Sequence, residues 1–103
     1  MSKVILESPY AGDVERNIEY AKLCMKHSLT MGEAPLLSHL LYTQVLDDTI
    51  PIERAIGINA GLAWVDVADK HVFYVDYGYS LGMIAAKELA IKMRIVIEER
   101  KIL

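Results

Sequence analysis

Lys3-Val4-Ile5-Leu6-Glu7-Ser8-Pro9-Tyr10-Ala11-Gly12-Asp13-Val14 is the stretch that decides the fold. Its first part, Lys3 to Glu7, is a short apolar run with β-branched residues and reads as a buried strand. Ser8 to Asp13 then brings proline and glycine, which interrupt regular structure. Beyond it, Val14, Ile18, Ala21 and Met25 fall on one face of a helix with about 3.6 residues per turn. Asp13 stands where an N-cap belongs, Glu15 and Glu19 lie near the positive end of the helix dipole, and Gly32 is a stop signal. A strand, a breaker loop and an amphipathic helix in that order form the opening of a βαβ unit.

The same alternation continues downstream. Ala34-Pro35-Leu36-Leu37-Ser38 reads as a second strand, weakened by its proline. His39 to Thr49 has no clean period and is expected to be a long connection with a short helix in it. Pro51 suits a first helical turn, and Ile52, Ile56, Ala60, Ala63 and Val67 form the apolar stripe expected of the helix it opens. Val72-Phe73-Tyr74-Val75 is the clearest strand, and Asp76 to Tyr79 a turn. Ser80 caps a helix expected to run to about Met93, with Gly82, Ala86, Leu89, Ala90 and Met93 inward. Arg94 to Glu98 reads as the last strand. Strands alternating with helices predict an α/β fold. The expectation is a single domain over residues 1–103, a small Rossmann- or flavodoxin-like three-layer fold. Its sheet is mostly parallel, of about four or five strands, with helices on both faces.

Composition narrows the function classes. The chain has 103 residues, 53% of them hydrophobic and 24% charged, which excludes an intrinsically disordered chain. The net charge of −3 comes without a basic cluster, so a nucleic acid polymer is not an expected partner. One cysteine, Cys24, excludes a disulfide framework, and no metal site or cofactor is expected. No apolar run approaches the roughly 20 residues of a membrane span. Met1 to Glu7 meets an acid too early for a signal peptide, so the expected location is the cytoplasm.

In such folds ligands bind beyond the carboxyl ends of the strands. Three loops arrive there: Ser8 to Asp13, Ser38 to Asp48, and Asp76 to Gly82. The first enters a helix N-terminus, whose free N–H groups attract anions. Arg16, one turn in, adds a bidentate phosphate contact, or else is a surface arginine paired with Glu15 or Glu19. Ser80-Leu81-Gly82 repeats the arrangement, either for a phosphate or sugar hydroxyl or as plain N-capping. His39 is a substrate contact or a packed loop histidine. Asp47-Asp48 offers a general acid, or caps a helix. Tyr77 and Tyr79 stack on a ligand or cover core edges.

Taken together, these residues resemble the nucleoside 2-deoxyribosyltransferase-like superfamily. The likeness is to its small bacterial and phage members and to the deoxynucleoside 5′-monophosphate N-hydrolases. It rests on Ser8-Pro9-Tyr10-Ala11-Gly12-Asp13-Val14-Glu15-Arg16-Asn17-Ile18, on His39-Leu40-Leu41, Leu46-Asp47-Asp48, Glu53-Arg54 and Gly57, and on Ser80-Leu81-Gly82-Met83. It covers nearly the whole chain. The resemblance implies cleavage of the N-glycosidic bond of a nucleotide, or deoxyribosyl transfer. A glutamate attacks C1′ and a neighbouring acid assists the departing base. It implies a substrate-binding set of Ser8, Pro9, Gly12, Asp13, Arg16, His39, Ser80, Gly82 and Met83, with Tyr10 beside the reaction. It also implies a homodimer or higher homo-oligomer whose site is completed across the interface. Removal of a nucleotide defence signal by a phage, in the host cytoplasm, is one version of this activity.

Two departures stand out. Ala86 occupies the position of the nucleophilic glutamate, and alanine cannot attack. The chain is then a non-catalytic nucleotide sponge or sensor, a variant with its nucleophile replaced, or an enzyme using Glu88. Two residues along a helix is about 200° of rotation, which turns Glu88 away from the side that Ala86 faces. The intact remainder of the motif favours the replaced nucleophile. Gly61 stands where some members place the assisting aspartate. That role passes to Asp48, with Asp47 and Asp13 as the alternatives.

Overall fold

A computed structural model describes residues 1–103. The chain runs β1 (Lys3–Glu7), α1 (Val14–Thr30), β2 (Ala34–Leu36), α2 (Ser38–Leu41), α3 (Pro51–Leu62), β3 (Lys70–Tyr74), α4 (Leu81–Lys92) and β4 (Val96–Arg100). Short 3₁₀ turns sit at Tyr42–Gln44 and Val65–Val67. The four strands form one sheet in the order β2-β1-β3-β4, parallel throughout. The expected α/β architecture is therefore present, with four strands.

Strand order creates the feature that matters for function. From β1 the chain crosses to β2 on one side, then returns to β3 on the other. Right-handed crossovers put these connections on opposite faces and leave a crevice between the loops after β1 and β3. The alternation of side chains along the strands sorts the two faces. Val4, Leu6, Val72 and Tyr74 pack against Tyr20, Ala21 and Cys24 of α1 as one buried cluster. Ile5, Glu7 and His71 face the other way, toward α3 and α4.

Local chemistry explains most boundaries. Asp13 accepts the Arg16 amide at 3.2 Å and Ser80 accepts the Met83 amide at 3.2 Å, so both expected N-caps form. α1 ends at Gly32 with φ of 82°, where Glu33 N–H donates to the Ser28 carbonyl and Gly32 N–H to that of Leu29. α4 ends in the same pattern, Ile95 to Ala90 and Arg94 to Ile91, with Arg94 at φ 56° in the place glycine usually takes. This turn delays the last strand to Val96–Arg100 instead of Arg94 to Glu98. A shift of two residues keeps the inward side chains inward. β3 begins earlier than expected, at Lys70, and ends at Tyr74. β2 stops at Leu36 because Leu37 already leads into α2.

The stripe expected on α3 is corrected. Ile52, Ile56, Ala63 and Val67 are exposed, and only Ala60 of that set is partly buried. The helix ends at Leu62 and turns its small residues inward. A Cβ on Gly57 would meet Leu46 at 3.4 Å, and one on Gly61 would meet the Ser38 hydroxyl at 2.9 Å. Size, not hydrophobicity, selects that face. On α4, Met83 and Ala90 are buried, Ala86 and Leu89 partly so, while Gly82 and Met93 are exposed against expectation.

Charged groups complete the α1 side. Glu33 accepts from Arg100 Nη2 at 2.7 Å and Nη1 at 2.8 Å, from Lys70 at 3.1 Å and from Ser28 at 2.8 Å. Arg100 also donates to the Tyr74 hydroxyl at 2.9 Å and to Glu98. Asp76, in the expected turn, accepts from Tyr20 at 2.5 Å and from the Ile102 and Leu103 amides at 3.0 and 2.8 Å, tying down the C-terminus. No helix is long and apolar enough to cross a membrane.

Candidate functional site

The crevice at the carboxyl ends of β1 and β3 is a cleft of about 880 Å³. That is at the upper end of small-molecule sites and is large enough for a nucleotide. Of the residues expected from the sequence, Ser8, Tyr10, Gly12, His39, Asp48, Ser80, Gly82, Met83 and Ala86 all line it. They arrive from four segments: the loop after β1, α2, the connection before α3, and the start of α4. Pro9, Asp13 and Arg16 do not line it.

Each of the three has a visible local role or setting. Pro9 is buried. The Asp13 carboxylate caps α1. The Arg16 guanidinium lies 4.1 Å from the centre of the Tyr77 ring and donates to Asn17 Oδ1 at 3.1 Å. Its partners are thus Tyr77 and Asn17, neither a cleft ligand nor Glu15 or Glu19. Asn17, 1% exposed, gives its amide hydrogens to the Tyr10 and Ala11 carbonyls at 2.9 and 3.1 Å. It holds the loop after β1 in shape.

At the upper wall, Ser8 Oγ and His39 Nε2 share a hydrogen bond of 2.6 Å. Burial pushes the His39 ring down to about 4, so at neutral pH it is an uncharged donor and acceptor. Asp48 reaches the cleft, but Arg54 Nη1 sits 2.7 Å from its Oδ2. It is engaged rather than presented free as an acid. Asp47 bonds Thr49 and lies outside the lining. Ser80 caps α4 and also lines the cleft, so its capping role is present and does not remove it from the cleft. Ala86 presents only a methyl group, and Glu88 is exposed and outside the lining, as the helical rotation predicts. Tyr79 contacts Phe73 with ring centres 5.7 Å apart and bonds Glu99, away from the cleft. No three His, Cys, Asp or Glu side chains come together to hold a metal ion.

Two cleft residues escaped the sequence reading. Glu7 ends β1 on the same face as Ile5, and burial, with no pairing charge, raises its carboxyl to about 7. His71, on β3 beside Ile5, is 1% exposed, and neither ring nitrogen has a partner. Burial lowers its pKa, the opposite direction to Glu7. The signal for both was parity: Glu7 follows Ile5 by two residues, and His71 precedes Phe73 by two, so both belong to the face opposite the α1 core.

These features define a small doubly wound α/β domain with a ligand-sized cleft at its topological switch point. Residues 2–100 match the model of a family described as "Domain of unknown function (DUF7768)", and the chain belongs to that family. Comparison with curated proteins gave no match, and neither did comparison with solved structures.

Proposed function

We propose that the cleft binds a nucleotide and hydrolyses its N-glycosidic bond, with Glu7 supplying the carboxylate that residue 86 lacks. The observation that carries this reading is Glu7 itself. Its carboxyl has no protein partner, lines a nucleotide-sized cleft and titrates near neutrality. A general base serves best when its pKa lies near the working pH. In the ionised form it takes a proton from water. The water oxygen bonds C1′ as the C1′–N bond breaks, the electron pair leaves with the base, and the proton held by Glu7 passes to that base, which restores the carboxylate. The N-termini of α1 and α4 flank the mouth through Gly12 and Gly82, and their amides suit the phosphate. The Ser8–His39 pair supplies neutral hydrogen bonds for sugar hydroxyls.

Ala86 favours a second reading, in which the same cleft sequesters or senses a nucleotide without cleaving it. We propose a homo-oligomer as well. Ile58 and Leu62 are 49% and 45% exposed yet line the cleft, so a second copy seated on α3 would close its open side. Light scattering on the purified chain tests that point.

Chromatographic detection of free base separates the readings. The chain, its Glu7→Gln form and its Ala86→Glu form are incubated with mono-, di- and cyclic nucleotides. Base from the unaltered chain, lost in Glu7→Gln, supports hydrolysis through Glu7. Base only from Ala86→Glu, or retained nucleotide with no base at all, supports the binder. Neither cleavage nor any nucleotide-dependent rise in Tm removes both readings and leaves a structural domain; ligand at about 100 Kd stabilises by roughly 2.7 kcal/mol.

A further inference from the structure

His71 is the one residue of the molecule with buried side-chain polar atoms that find no partner. It stands in the middle of the sheet, beside Ile5 of β1 and Ile97 of β4. The large majority of buried side-chain polar atoms in folded proteins are paired, and an orphan costs about 1–3 kcal/mol. Two on one ring mark a missing partner. Strands close His71 in on either side, while the ring forms part of the cleft wall. The partner therefore enters from the cleft, and rotation about χ2, a soft torsion for histidine, turns a nitrogen to meet it.

The surroundings select the chemistry of that partner. The neutral ring offers one donor and one acceptor. Ile5, Leu36, Val65 and Leu89 wall the same region with apolar surface. The strands give the cleft lining one acidic group, Glu7, which opposes an anion. A phosphate beside His71 would meet the Glu7 carboxyl, while the one lysine or arginine of the lining, Arg54, is paired with Asp48. A flat uncharged heterocycle buries its faces on the apolar walls and presents a donor and an acceptor on its edge. Resting on the nucleotide reading, we propose that His71 is the specificity-determining residue of the cleft, hydrogen-bonding the edge of a nucleobase seated on the sheet while the phosphate stays at the mouth.

Calorimetric titration tests this with AMP, GMP, CMP and UMP, and with 2-deoxyribose 5-phosphate, which has no base. The proteins are the full chain and His71→Phe, which keeps a ring beside Phe73 and removes both nitrogens. The expected result is that the nucleotide bound by the full chain binds about 10- to 100-fold more weakly to His71→Phe, while the sugar phosphate binds both alike. In parallel, ¹⁵N spectra of the three imidazoles in the unsubstituted chain should show His71 shifting with the nucleotide and not with the sugar phosphate. This arm decides the matter even where His71→Phe does not fold. Equal nucleotide affinity in both proteins, or a His71 resonance unmoved in the bound chain, overturns the assignment and leaves a buried water as its partner. A His71 response to the sugar phosphate also overturns it. Failure of the unsubstituted chain to bind these four nucleotides and the di- and cyclic nucleotides of the cleavage panel overturns the parent reading, and this inference with it; where one of the latter binds, it takes their place in the titration.

Discussion

Val4, Leu6, Val72 and Tyr74 leave the sheet on one side; Ile5, Glu7 and His71 leave it on the other. The first side is sealed. A 17-residue helix lies across it, the strand side chains beneath the helix are buried, and Glu33, just past the helix, is clamped by Arg100, Lys70 and Ser28. The second side is open, with α3 contributing no fully buried residue and a cleft between α3 and α4. Its polar groups, Glu7 and His71, lack partners. The two glutamates consequently move in opposite directions: Arg100 holds Glu33 down at about 2, while desolvation in the cleft lifts Glu7 to about 7. A face whose polar groups are all answered within the chain serves the fold. A face with unanswered ones keeps hydrogen-bonding capacity that the fold itself does not use.

The largest effect that can break this contrast is Glu33→Ala. It leaves the Arg100 guanidinium, 7% exposed, without its main counter-charge. Stability should fall by about 3–5 kcal/mol in urea denaturation. Acid probes the same group. Glu33 is depressed in the folded state, so its contribution is full above the ordinary carboxylate range and lost as pH falls from about 4.5 toward 2. A flat denaturation midpoint across that window would show the ionic cluster to be unimportant.

Leu6→Ala should come next, at about 2–5 kcal/mol, because the side chain is wholly buried beneath α1. Ile58→Ala on the cleft side should stay within about 0.5 kcal/mol, since the residue is half exposed. Equal losses would mean that both faces are packed alike.

Glu7→Gln should act with the opposite sign. The unfolded state gives up this proton near 4.5 and the folded state near 7, so ionisation in the cleft subtracts stability as pH rises between the two. Glutamine removes that loss and should stabilise the free protein, on the order of 2 kcal/mol at about pH 8, with little gain at about pH 4. The same gain at both pH values would place its cause in packing rather than charge. The smallest effect concerns the helix ends. Arg94→Gly should stabilise by up to about 1 kcal/mol, because α4 closes with a left-handed residue that is not glycine, whereas Gly32→Ala should destabilise by a similar amount.

Much of the scaffold was legible because its signals are local. The caps at Asp13 and Ser80, the stop at Gly32 and proline at the first turn of α3 each act within a few residues and formed as expected, and the apolar strands formed with shifted ends. The α3 stripe misled because helix periodicity assumes that the apolar face goes inward. There, close approach to Leu46 and Ser38 selected Gly57 and Gly61. In the site, the loops were legible and the deepest groups were not. Arg16 has the chemistry of a phosphate ligand, yet the ring of Tyr77, distant in sequence, claims it.

The sequence alone determined the order of strands and helices, the parallel class of the sheet, and the three loops that gather at its carboxyl ends. These follow from hydrophobic period, capping and the handedness of crossovers, which are properties of short segments. Only the tertiary structure decided which polar side chains are answered. Glu33 and Glu7 are alike in the sequence. One lies within reach of an arginine 67 positions away, and the other meets a cleft. Their pKa values and their roles come from neighbours that folding alone supplies, because burial and Coulomb interactions act over distances in space rather than along the chain.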